Sequence, residues 1–125
     1  MKMKVFGFIM CCFLFTGFMG CYYDKADLTY PKAPACDTTV VRLSVELNDI
    51  MVKNCFNCHG GAADLGAGIQ LEDYATIKDY ADFGLLLSSL KQDGTTSAMP
   101  KGAAKLSDCD INKFEAWINR GAPQN

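Results

Sequence analysis

The sequence predicts an all-α domain of about four short helices. Two apolar stripes at helical spacing carry that reading. One is Phe83, Leu86, Leu87 and Leu90; the other is Ile111, Phe114, Trp117 and Ile118. Little in the chain suggests a βαβ pattern, although residues 39–43 open on the β-branched Thr39, Val40 and Val41 and suit a short extended piece.

The chain opens on an export signal. Lys2 and Lys4 form a charged start, and residues 5–19 are almost wholly apolar. That run is too short to span a bilayer comfortably, so a cleaved signal peptide is expected over a transmembrane anchor. It ends in Phe18-Met19-Gly20-Cys21, which resembles a bacterial lipobox, with Phe18 where that pattern usually has Leu. Residues 1–20 are therefore read as a lipoprotein-type signal peptide and Cys21 as the lipidated first residue of the mature chain. Ordinary cleavage near Gly20 without lipid is the plain alternative. More than one acyl chain suffices for stable anchoring, which places the protein in the cell envelope as a periplasmic or outer-membrane lipoprotein. Residues 21–38, with Pro31 and Pro34 and no helical period, read as a tether, and 39–125 as the folded domain.

The first helix is expected to start at Ser44 or Asn48, either of which can cap it. Leu47, Ile50 and Met51 fall on its inner face. It runs into Cys55-Phe56-Asn57-Cys58-His59, the c-type haem attachment sequence. Two thiols at this spacing add across the two haem vinyl groups, and the adjacent His59, the only histidine in the chain, supplies the proximal imidazole. A closed zinc site would need a second ligand pair, which the chain lacks. A thiol–disulfide centre would want a strand–helix setting.

Gly60-Gly61 and Gly66-Ala67-Gly68 mark turns. A short helix around Tyr74 and Ile77 is followed by the stripe from Phe83, which Gly84 weakens. Met99, in Ser97-Ala98-Met99-Pro100, is the expected second iron ligand, with Pro100 stiffening the backbone beside it. Met51 competes, but it lies four residues before Cys55 on the same helix, where the far face of a haem is hard to reach. The last helix has Ser107 as cap, Asp108 and Asp110 at its positive end, and Gly121 with Pro123 as its stop.

Of the seven cysteines, Cys11 and Cys12 leave with the signal, Cys21 takes lipid, and Cys55 and Cys58 take haem. Cys36 and Cys109 remain, and in an oxidising compartment they are expected to bridge. Without Lys2 and Lys4 the mature chain carries ten bases against fourteen acids, a net charge of −4. That balance argues against nucleic acid and favours redox protein partners with a basic docking surface.

From about Val40 onward the chain resembles the single-haem class I c-type cytochrome domains of bacterial exported lipoproteins. The residues that carry the resemblance are Cys55, Cys58 and His59, then Gly68-Ile69-Gln70-Leu71, Met99-Pro100, and the Trp117 helix with Gly121-Ala122-Pro123. It implies a cytochrome c-like fold wrapped round one covalent haem c, with terminal helices crossing at Trp117. No segment remains for a separate catalytic domain, so the expected role is one-electron transfer rather than enzymatic turnover. The alternative is a haem-based peroxidase or gas-sensing subunit with an open sixth iron position.

Overall fold

In a computed structural model of the chain, residues 35–125 are described, and Cys36–Asn125 forms one compact unit. The signal segment, Cys21 and most of the tether lie outside the described residues. The described residues are helical and contain no strand, so the domain is all-α. No helix among them is long and apolar enough to cross a membrane.

The expected extended piece over 39–43 is not a strand. Asp37 Oδ1 instead accepts from the Thr39 N–H and hydroxyl, closing a local turn that competes with extension. A π-turn, Leu43–Leu47, then runs into α1 (Asn48–Asn54). Leu47, Ile50 and Met51 are all buried, as their spacing requires.

Neither Ser44 nor Asn48 caps this helix. Arg42 stands at the N-cap, and its N–H donates to Glu46 Oε2 at 2.9 Å. The next two N–H groups are met from the far end of the chain. Asn125 Oδ1 accepts from Leu43 N–H, and the Asn125 main-chain oxygen from Ser44 N–H, both at 2.8 Å. The orphan donors of a helix start are thus satisfied by a non-local cap.

The Cys55-Phe56-Asn57-Cys58-His59 segment winds through the short α2 (Phe56–His59), and a 3-10 turn follows at Asp64–Gly66. Next comes α3 (Tyr74–Asp82), capped by Asp73, whose carboxylate accepts from the Thr76 N–H and hydroxyl. The chain reverses at Gly84, in the left-handed region at φ +74°, before α4 (Leu85–Lys91). Leu86 and Leu90 are buried as expected, but Phe83 is not in that stripe. It ends α3 and is 79% exposed, because the left-handed Gly84 separates it from the helix that carries the leucines. The last helix, α5 (Asp108–Asn119), begins at Ser107, whose Oγ accepts from Asp110 N–H at 3.1 Å.

The core is apolar throughout the described residues, with Trp117, Phe114, Leu47 and Ile77 fully enclosed. The Leu43–Leu47 turn packs on α5, and α4 lies between α3 and α5 as a contact to both. Two bonds lock the C-terminal corner. Trp117 Nε1 donates to Pro123 O at 2.9 Å, and the Tyr74 hydroxyl to Ala122 O at 3.0 Å.

Several exposed carboxylates make this fold sensitive to acid. Hydrogen bonds from the Arg42 side chain and then its backbone N–H hold Glu46 down to about 2. Asp37, Asp73 and Asp93 are also lowered, chiefly by side-chain hydrogen bonds from Thr39, Thr76 and Ser88 respectively. A depressed folded pKa stabilises fully above the ordinary carboxylate range of about 4, and that stabilisation is lost as pH falls through the folded value. The urea midpoint should therefore fall steadily below the ordinary range towards pH 2. A flat midpoint across that window would contradict these pairings.

Candidate functional site

The motif residues Cys55, Cys58 and His59 stand at positions i, i+3 and i+4 of one helical turn. Cys58 N–H and His59 N–H both donate to Cys55 O, at 3.0 and 2.9 Å. Residues at this spacing share a helix face. The turn thereby brings two thiols and an imidazole to one side of the chain. Both thiols are free. Burial pushes the Cys55 thiol up to about 11, so it stays protonated at neutral pH. A thiol–disulfide centre needs the reverse, a thiolate stabilised in an accessible setting.

The segment after the motif doubles back on it. Leu71 N–H donates to His59 O at 2.9 Å, and His59 Nδ1 lies 3.0 Å from Ile69 O. A carbonyl oxygen only accepts, so Nδ1 must carry the proton. In the neutral ring Nε2 then keeps its lone pair, the form in which imidazole ligates a metal. Left-handed Ala63, Ala67 and Gly68 make the tight return possible.

Gly66 closes against this arrangement. A Cβ there would lie 2.5 Å from both His59 Nδ1 and Cys58 O. Gly66→Ala should displace the imidazole and cost about 1–3 kcal/mol of stability, the usual range for overpacking. A lowered denaturation midpoint with a changed His59 ring nitrogen spectrum is the expected result. An unchanged His59 spectrum would show that the glycine does not hold the ring.

His59 and Met99 line one cavity of about 190 Å³, open at the surface. Ile69, Leu71, Leu85 and Leu86 supply apolar wall, and Tyr80 and Ser89 contribute from α3 and α4. Cys55 and Cys58 stand outside this wall. Met51 does not enter the cavity. It is buried in the core and lines a different hollow beside Phe56, Tyr74 and Asn125. Among the described residues, no three His, Cys, Asp or Glu side chains gather as a metal cage. The donor pair in the cavity is instead an imidazole and a thioether.

The sequence carried no signal for Tyr80, Ser89 or the Ile69 carbonyl as parts of this site. Tyr80 and Ser89 read as ordinary helix positions, and a main-chain acceptor has no residue type by which to be found. Cys36 and Cys109 meet with Sγ atoms 2.14 Å and Cα atoms 5.4 Å apart, joining the start of the unit to the first turn of α5.

Comparison with protein-family models, with curated proteins and with solved structures finds no match to this chain.

Proposed function

We propose that this protein is a one-electron carrier with a single covalent haem c, built on a class I cytochrome c-like domain. Cys55 and Cys58 would hold the macrocycle by thioether bonds, and His59 and Met99 would be the axial ligands. The observation that supports this best is the pairing of His59 and Met99 in one apolar cavity, with the imidazole Nδ1 on Ile69 O. The haem supplies a metal that cycles between ferric and ferrous states, with a potential set by its axial ligands.

The chain's own residues do the rest. Ile69 O orients the imidazole and fixes its tautomer. The thioether of Met99 is a weak neutral donor that favours the ferrous state. Ile69, Leu71, Leu85 and Leu86 give the space beside these donors an apolar wall. The cavity is smaller than the roughly 300–1,000 Å³ of ordinary small-molecule pockets, so its walls must part to admit a macrocycle.

Lipid on Cys21 would tether the domain in the cell envelope. The acidic mature chain suits redox partners that present a basic surface.

The direct test is haem retention. Wild-type protein from an export-competent host should keep its haem after denaturation and extraction. The double variant Cys55→Ala, Cys58→Ala should lose essentially all of it. Haem that remains attached to the double variant would refute the assignment of these two thiols.

A further inference from the structure

We infer that Gln92 is a positioning residue for Met99, acting with the Ser89 carbonyl to grip the Met99 main chain at two points. The inference rests on the haem reading above. Met99 N–H donates to Ser89 O at 3.0 Å. Gln92 Nε2 donates to Met99 O at 3.2 Å. Both anchors belong to the C-terminal end of α4, the helix that also walls the cavity through Leu85, Leu86 and Ser89. Met99 is therefore fastened to one wall, and it travels with that wall when the cavity opens.

The backbone at Gln92 points the same way. It sits in the left-handed region at φ +55°, a conformation in which helices usually end on glycine or asparagine. Glycine would relieve this strain but has no amide with which to reach Met99. The start of the loop is secured separately. Ser88 Oγ donates to Asp93 Oδ1 at 2.6 Å, and the same oxygen accepts from Thr95 N–H at 2.9 Å. Beyond Thr95, the Ser89 and Gln92 bonds hold Met99 itself.

Such anchors matter because methionine is long, unbranched and conformationally free, and a neutral thioether binds iron weakly. A thioether on an unanchored loop must give up more conformational freedom to bind. Loss of one hydrogen bond of ordinary net strength should raise the fraction of open sixth site by roughly 2- to 12-fold.

Two variants test this in opposite ways. Gln92→Gly removes the amide and relaxes the backbone. Gln92→Glu keeps length and shape but offers only acceptor oxygens at neutral pH. In the full haem-loaded chain, both should raise the carbon monoxide affinity of the reduced form by roughly 2- to 12-fold. Both should also weaken the sulfur-to-iron charge-transfer band of the ferric form. In the haem-free chain, both should speed hydrogen exchange at the Met99 amide by a similar factor, with Gln92→Gly keeping or raising the thermal midpoint. A merely structural helix end would give Gln92→Gly no effect on carbon monoxide binding or on that amide. If both variants match wild type while Met99→Ala still raises carbon monoxide affinity, the inference is overturned alone. If Met99→Ala has no effect, Met99 is not the sixth ligand, and the electron-carrier reading falls and the inference with it.

Discussion

Met99→Ala is expected to raise the carbon monoxide affinity of the reduced, haem-loaded protein by on the order of 100-fold, the factor that corresponds to a sixth site open about 1% of the time in wild type. The reasoning starts from the cavity. His59 and Met99 line it together, and Met51, the other sulfur near the motif, is buried elsewhere. Removing the Met99 thioether therefore leaves no sulfur donor in that wall. The same variant should lower the reduction potential, because a neutral sulfur ligand favours ferrous iron. The far-red sulfur-to-iron band should vanish. Equal carbon monoxide binding by wild type and variant would mean that the sixth site is already open. The peroxidase or gas-sensing reading would then replace the electron carrier.

The double variant Cys36→Ser, Cys109→Ser should lose about 4 kcal/mol of stability under oxidising conditions, the chain-entropy value for a loop of this length. For a domain of this size that corresponds to a fall of roughly 15–30 °C in Tm. The two sulfurs lie at bonding distance across 73 residues of sequence, so the link would restrict nearly the whole domain when unfolded. Further contacts hold the same leading segment against the other end of α5. Arg120 donates to the Thr38 and Thr39 carbonyls, so the native geometry should survive the loss of the bond. Equal midpoints for oxidised wild type and the double variant, or free thiols at both positions in peptide mass spectra, would count against the bridge.

Much of the helical layout is legible without coordinates because its causes act within a turn or two. Ile111, Phe114 and Trp117 repeat at helical spacing and are all buried, and Ser107 caps their helix through the local bond to Asp110. The same local reasoning fails at two informative places. Phe83 fits the stripe by spacing, yet Gly84 adopts a positive φ that divides the helices and leaves Phe83 in solvent. The first helix shows candidate caps at Ser44 and Asn48, yet its exposed N–H of Leu43 is met by Asn125, 82 residues away. No local pattern encodes a partner at that separation.

The site divides along the same physical line. Cys55, Cys58 and His59 stand out in the sequence because they have the residue types and short spacing that the proposed haem attachment would demand. Their shared face follows from one turn of helix. The choice between Met51 and Met99 is only partly local, since both are thioethers and spacing merely disfavours Met51, four residues before Cys55. The packing adds that Met51 is buried in the core while Met99 lines the His59 cavity. The free lone pair of His59 likewise depends on the Ile69 carbonyl, and the anchoring of Met99 on Ser89 and Gln92. Residue chemistry and periodicity are local properties and belong to the sequence. Which lone pair faces which carbonyl depends on long-range closure of the chain, so the tertiary structure alone decides it.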